Sequence, residues 1–326
     1  MSWKERYLYR FRASRSGSIL IVALWSLFFL SGLAMAVAAY VRPQIELARR
    51  LKDRVGVYYL AQSGVKKSIT EITRNAPPKY DTLKEFLPSG KNDFTKAAMP
   101  DGEFYYTLVD EERKININKA SYDVLERFFE TAAGLSPLQA GEIAACIMDW
   151  REKGDQARKN GAKSGYYQTL NPAYPCKNND FELLEEILMV KGMTPAIFNM
   201  IKNRITVYGN GAVNINTADV LVLESLGVKG NLAGKVIGSR NGNDGIEGTD
   251  DDNVFLSVDN ITDDLRASQN LTQDESSQLA NIAASGLLCV RSDNFRGESV
   301  GRNTRDSVRI DFVFNRDKAI KFWRQG

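Results

Sequence analysis

The residues whose types and spacing best suit ligand chemistry lie in the stretch GSRNGNDGIEGTDDDNVFLS. There Asp244, Glu247, Asp250, Asp251 and Asp252 are interleaved with glycines that let the backbone turn sharply. Hard carboxylate oxygens in a flexible loop are what calcium needs, usually about six to eight donors at about 2.3–2.6 Å. The spacing does not follow the EF-hand pattern, because no glutamate closes a twelve-residue loop after a glycine at the sixth place. On residue types alone the stretch reads first as a solvated acidic turn and second as a metal loop.

Other chemistry is limited by what the chain lacks. None of the 326 residues is histidine, which removes the commonest general base and transition-metal ligand, and with them Ser-His-Asp catalysis, Cys-His catalysis and His-ligated zinc. Cys146, Cys176 and Cys289 have neither CxxC spacing nor an even count, so either one disulfide, with Cys146 and Cys176 the nearest pair, or three unpaired thiols fits. Glu185 and Glu186 are adjacent on an expected helix and point different ways, which a solvated face explains. No catalytic residue and no organic cofactor is assigned.

The charge balance argues against a nucleic-acid partner. The total is +3, but Lys4, Arg6, Arg10, Arg12 and Arg15 against Glu5 put +4 into residues 1–17, leaving −1 for everything after. Binding to phosphate backbones requires concentrated Lys and Arg. With 43% hydrophobic and 25% charged residues, the remainder is suited to one or two packed domains.

The elements that position these residues begin with an uncharged apolar run from Ser18 to Val41. At about 1.5 Å per helical residue it can cross a hydrocarbon layer of roughly 30 Å. A secretory signal would have a shorter apolar region and a small-x-small cleavage site, which Leu33 to Ala39 only imitates. The cationic flank belongs on the cytoplasmic side, placing the rest of the chain outside the inner membrane. Apolar residues then continue at Ile45, Leu47, Leu51, Val55, Tyr58, Tyr59, Val65, Ile69 and Ile72, close to a helical stripe. One long helix is expected, kinked at Pro43 and ended by Asn75-Ala-Pro-Pro. A helix half in lipid and half lying on a globular domain is the design of a pilin.

Beyond it, Gly102 to Asp110 alternates as a strand, and GLLCVRSDNFRGE with RDSVRIDFVFNRDKAIKFWRQG alternates as a closing antiparallel hairpin. Between them ASYDVLERFFETAAGLSPLQAGEIAACIMDW and NDFELLEEILMVKGMTPAIFNMIKNRI have helical periodicity, each divided by a turn, at Gly134 and Gly192. Ser136 and Thr194 are the expected N-caps, with Pro137 and Pro195 at the first helical position. A near-repeat links KININKASYDVLERF to VNINTADVLVLESLG: Asn-Ile-Asn, a small residue, then a helix. Strands flanking helices in sequence indicate an α+β domain carrying an inserted helical subdomain.

Several segments, in their order and spacing, resemble the minor pseudopilin family called protein K of the type II secretion system. They are RSGSILIVALW, KININ, MDWREKGD, the GYY of the long polar loop, ELLEEILMVKGMTPAIFNMI, ITVYGNGAVNINTA and IKFW. The resemblance implies a pilin-like α+β fold with a long N-terminal transmembrane and amphipathic helix packed on an antiparallel sheet, plus an inserted all-α subdomain of SAM-like, helix-hairpin-helix-like type. The expected divisions are a leader (1–17), a transmembrane part (18–41), a periplasmic amphipathic part (42–75), a pilin-like domain (76–114 and 209–326) and an inserted helical subdomain (115–208).

It further implies that a prepilin peptidase cuts after Gly17, making Ser18 the mature, methylated N-terminus. Most pilin-like proteins carry glutamate at the fifth mature position, here Val22, and a subunit lacking that acid suits the tip of a pseudopilus. Partners implied are the I- and J-type minor pseudopilins, the rest of the pseudopilus, the inner-membrane platform and the prepilin peptidase, with the helical subdomain facing secreted substrate or the outer-membrane channel. Calcium bound in the pilin-like domain of relatives turns the acidic stretch into an expected calcium site, with Asp244, Glu247, Asp250, Asp251 and Asp252 as ligands and Asn243 as a weaker carbonyl donor. Arg151 and Lys153 in MDWREKGD, where relatives carry more acids, support no second metal site there. The competing reading is a membrane-anchored helix-hairpin-helix DNA receptor. Its turns, GLS, GMT and GVKG, lack or displace the second glycine of a Gly-apolar-Gly hairpin, and the body charge of −1 opposes it.

Overall fold

Helix α1, Ser16–Thr73, is continuous and accommodates Pro43, and a single-turn helix α2, Leu83–Phe86, follows it. The computed structural model describes residues 16–74, 79–86 and 95–326; the cationic leader residues 1–15 and the expected helix stop at Asn75-Ala-Pro-Pro lie outside these. The chain divides into two units, one through Gly56 and one from Val57 to Gly326.

In the first unit the apolar side chains of α1, from Ile19 through Val41, are exposed. Its two serine hydroxyls there bond back one turn: Ser26 donates to the Val22 carbonyl and Ser31 to the Leu27 carbonyl, each at 2.8 Å. Such back-bonding satisfies a hydroxyl without water.

In the second unit, α1 contributes Val57, Leu60, Ala61 and Val65 to a core shared with a five-stranded antiparallel sheet. Its strands are β1 Thr95–Met99, β2 Gly102–Asp110, β7 Asn294–Arg302, β8 Ser307–Asn315 and β9 Ile320–Gln325, in the order β1-β2-β7-β8-β9. Alternation sets the buried face, with Phe104, Tyr106 and Leu108 from β2 and Val308, Ile310, Phe312 and Phe314 from β8. The helix lies very close to β7. A Cβ on Gly301 would stand 2.2 Å from the Val57 carbonyl oxygen and 2.4 Å from the Ala61 nitrogen, and Ser299 donates to the Ala61 carbonyl at 2.8 Å.

Between β2 and β7 the chain forms a helical body with its own core, running from Ile115 to Leu288. The Asn-Ile-Asn repeat is its building rule. In the first copy β3, Ile115–Asn116, pairs in parallel with β4, Ile205–Thr206, around α3 Tyr122–Ala133, α4 Pro137–Arg151, α5 Ser164–Tyr167 and α6 Pro195–Ile201. In the second, β5 Val213–Asn214 pairs in parallel with β6 Leu288–Cys289 around α7 Val220–Ser225, α8 Gly230–Arg240, α9 Ile261–Ser268 and α10 Gln273–Ala284.

Equivalent residues make equivalent bonds. The side chains of Asn116 and Asn214 accept from the amides of Asn118 and Asn216, at 2.9 and 3.0 Å. Asn118 clamps Phe181 through both backbone groups, as Asn216 clamps Phe255. Arg151 donates to the carbonyls of Ile117 and Ala120, and Arg240 to those of Ile215 and Ala218. Ser136 and Thr194 cap α4 and α6 ahead of Pro137 and Pro195, as expected.

The expected boundary at 208 is therefore corrected. Residues 209–289 do not belong to the pilin-like sheet, because Val213, Ile215, Leu223, Leu279 and Leu288 are buried in the helical core. The second Asn-Ile-Asn opens a second helical copy that needs its own closing strand, so the insertion ends near β6. The stretch 184–189, expected as an α-helix, is a 3-10 helix. Glu186 is not on a solvated face: it accepts from the Leu183 amide at 2.8 Å and pairs with Lys177 at 2.6 Å.

Three consecutive acids at the end of β2 join the sheet to both helical copies. Asp110 accepts from Thr217 (2.5 Å), Ser292 (2.7 Å), Asn214 (3.2 Å) and the Glu112 amide (2.8 Å). Glu111 accepts from Lys114 (2.5 Å), Arg296 (2.8 Å) and the Thr206 hydroxyl. Glu112 accepts from the Asn294 amide (3.0 Å) and side chain (2.6 Å). Burial, with the nearby Asp110 adding, pushes the Glu112 carboxyl up to about 8.

Two outcomes follow from this packing. Gly301→Val forces the helix off β7 and lowers the unfolding free energy by about 1–3 kcal/mol, measurable as a fall in the denaturant midpoint of the detergent-solubilised chain. Because the folded-state Glu112 titrates above its unfolded value of about 4.3, its contribution is complete below that pH and is lost as pH rises through about 8. Denaturant midpoints should fall between pH 5 and pH 9, and Glu112→Gln should flatten that fall; an unchanged pH slope in the variant would contradict the assignment.

Candidate functional site

The expected processing position falls at the start of α1, with Gly17 and Ser18 both helical, and Val22 sits one turn further on, exposed. Below the membrane-length segment, Ile45, Leu47, Leu51 and Val55 of the expected stripe are exposed, whereas Val57, Leu60, Ala61 and Val65 are buried on the sheet. Tyr59 is also exposed, whereas Tyr58, Ile69 and Ile72 of the stripe pack at the edge of this core.

The acidic loop follows α8 in the second helical copy and is held by its own carboxylates. Asp251 accepts from the amides of Asn243 (2.7 Å) and Asp244 (3.1 Å) and from the Thr249 hydroxyl (2.8 Å), contacts that hold its carboxyl below the usual aspartate range. Asp252 accepts from the Gly248 amide (2.7 Å) and from Thr249 (3.1 Å). Gly242 permits this closure: its φ is +59°, and a Cβ there would stand 2.4 Å from the Asp251 carbonyl oxygen. Asp244 caps the Ile246 amide at 2.8 Å, Glu247 pairs with Arg240 at 3.0 Å, and Asp250 pairs with Lys84 at 2.5 Å.

Residue types in this loop suit an oxygen-seeking cation, but their positions do not converge. Among the described residues no three His, Cys, Asp or Glu side chains form a metal-sized cluster. A calcium ion would have to take Asp250 and Glu247 from Lys84 and Arg240. The loop also belongs to the helical insertion, not to the pilin-like domain where it was expected.

The equivalent loop of the first copy is organised by the opposite charge. The buried Lys163 ammonium donates to the carbonyls of Asp149 and Glu152, each at 2.5 Å, and to the Asn178 side chain at 2.9 Å. All three donors are used, and the lysine occupies the centre of an all-oxygen cradle. Nothing in the sequence marked Lys163, since a lysine in a polar loop reads as solvated. The three cysteines are free; burial pushes the Cys146 thiol up to about 11.

Removing the ammonium takes a donor from three oxygens, the carbonyls of Asp149 and Glu152 and the Asn178 side chain, and leaves the Asp149 carbonyl the weak Cys176 thiol at 3.6 Å. Lys163→Met should cost about 1–3 kcal/mol and accelerate amide exchange across residues 149–178, read by hydrogen-exchange mass spectrometry.

Comparison with known proteins agrees with this architecture. Residues 106–210 match the family model for type II secretion system protein K. A curated relative, type II secretion system protein K of Klebsiella pneumoniae, is 25% identical over 132 residues; the match covers 36% of this chain and 40% of the relative. The fold superimposes on a chain of the crystal structure of the GspK-GspI-GspJ complex from the enterotoxigenic Escherichia coli type 2 secretion system, with a TM-score of 0.62 and 17% identity, covering 88% of this chain and 99% of that one. The match spans the end of β2 and the whole first helical copy, and the long apolar helix and antiparallel sheet make the fold pilin-like α+β. Over residues 106–210 the chain is similar to protein K of the type II secretion system, and its fold is that of the solved GspK-GspI-GspJ chain.

Proposed function

We propose that this chain is a minor pseudopilin at the tip of the periplasmic pseudopilus of a type II secretion system, a structural component that assists export of folded proteins across the outer membrane. The observation that carries this reading is α1: an apolar segment of membrane-spanning length runs into a stripe at Ile45, Leu47, Leu51 and Val55 that is exposed, ahead of the part packed on the sheet. Exposed apolar stripes of this kind are covered by other helices on assembly. The I- and J-type minor pseudopilins are the proposed partners, a reading supported by the GspK-GspI-GspJ complex of the solved relative.

Before assembly the protein is a single-pass inner-membrane protein with a cytoplasmic leader and a periplasmic body, engaged by the platform and by a prepilin peptidase that cuts between Gly17 and Ser18 and methylates the new amine. Val22 suits the tip because a carboxylate there would be buried without a partner if no subunit lay beyond it, and burying an unpaired charge is costly. The doubled helical insertion, too bulky to stack laterally, has room at a tip, where it faces secreted substrate or the outer-membrane channel.

The acidic loop remains the calcium candidate within this reading, on the strength of Asp244, Glu247, Asp250, Asp251 and Asp252 as oxygen donors. Millimolar calcium should raise the melting temperature of the wild type by several degrees and that of Asp252→Asn by much less, with magnesium inert; equal shifts in both proteins would remove the loop from consideration.

The test of function is the mass and N-terminal sequence of the protein made with and without its prepilin peptidase. Peptidase-dependent appearance of an N-methylated Ser18 terminus is expected. Retention of Met1 in both, or cleavage near Ala39, would overturn the pseudopilin reading.

A further inference from the structure

A cleft of about 340 Å³ opens where the sheet meets both helical copies. It is lined by Arg113, Lys114, Arg204 and Arg296, with Asp219 and the nearby Glu111 as the acids paired to three of them. Glu111 serves both Lys114 (2.5 Å) and Arg296 (2.8 Å), and Asp219 serves Arg204 (2.6 Å). Four cations against two acids leave the cleft with an excess of two positive charges. Arg113 is the unmatched one: half-buried on the cleft wall, it makes no hydrogen bond or ion pair among the described residues. Asn203 adds a side-chain amide without a hydrogen-bond partner among the described residues.

Gathering like charges in a half-buried cleft is unfavourable without an anion to offset them. Lys114 registers the strain: burial, with Arg296 and Arg113 adding, pushes its ammonium down despite the pull of Glu111. An arginine with all five donors unused, beside two further guanidinium groups and an amide, matches a tetrahedral oxyanion that accepts several bonds at once.

We infer that the cleft lined by Arg113, Lys114, Arg204 and Arg296 binds a phosphate group, with Arg113 as its principal donor. The phosphate can be free or carried on a lipid headgroup; the chemistry of recognition is the same, and the volume admits more than the phosphate alone. The two excess charges match a doubly ionised phosphate better than a single carboxylate.

The test is isothermal titration of the full chain in a non-ionic detergent, at constant ionic strength, with inorganic phosphate, with acetate, and with a short-chain phosphatidic acid, whose phosphomonoester headgroup can also ionise twice. Saturable phosphate binding, at least tenfold weaker in Arg113→Ala and unchanged in Arg266→Ala on α9, is expected. Tighter binding of the phospholipid than of inorganic phosphate, with the same loss in Arg113→Ala, would support the lipid as the source, and the reverse order the free anion. The inference fails if phosphate does not saturate, if acetate binds as tightly, or if Arg113→Ala binds like the wild type. A melting curve of each variant separates loss of the site from loss of the fold.

Discussion

The carboxylate of Asp110 is the point on which the architecture depends. It ends β2 and gathers four donors, from Asn214 and Thr217 in the second helical copy, from Ser292 in the segment leading to β7, and from the Glu112 amide. A buried carboxylate is tolerable only when its lone pairs are filled, and here each donor comes from a segment distant in sequence or from the adjoining turn. The two residues that follow continue the joint, Glu111 reaching the first copy at Thr206 and Glu112 reaching Asn294 on β7. Asp81 completes it by accepting from the Ser292 amide at 2.7 Å and from Arg316. The sheet and the two helical copies are thus held in register by polar contacts whose geometry is directional, where apolar packing alone would permit sliding.

With the joint in place, duplication does the rest. Each copy uses Asn-Ile-Asn to start a helix, an arginine at the end of the second helix to tie the start of the unit, and a short parallel strand to close it. The loops after those arginines then diverge in charge. The first is filled by the Lys163 ammonium, whose three donors meet three oxygens; the second is closed by Asp251 and Asp252, whose oxygens meet backbone amides and Thr249. One scaffold therefore supports a cation-centred loop and an anion-rich loop.

Along α1 the same sequence logic serves two environments. Residues 57–65 meet the sheet at a distance that only glycines at 64 and 301 allow, while the apolar positions before them stay exposed. Close approach of a helix to a strand increases dispersion contacts and excludes side chains that would hold the two apart.

Much of this was legible in the chain. Length, hydropathy and charge determined the membrane-spanning segment, alternation determined β2 and the closing strands, and Ser-Pro and Thr-Pro determined the starts of α4 and α6, because all of these are local signals. The repeated Asn-Ile-Asn was visible too, and followed to its end it predicts a second helical copy instead of a domain boundary at 208. Tertiary structure alone decided that Asp110, Glu111 and Glu112 are buried, that Lys163 is the centre of a loop, and that the candidate metal ligands are already engaged. The reason is physical: the cost of burying a charge depends on which distant groups arrive to satisfy it, and those distant partners, 95 to 185 residues away for Glu111 and Asp110, are set by topology rather than by spacing.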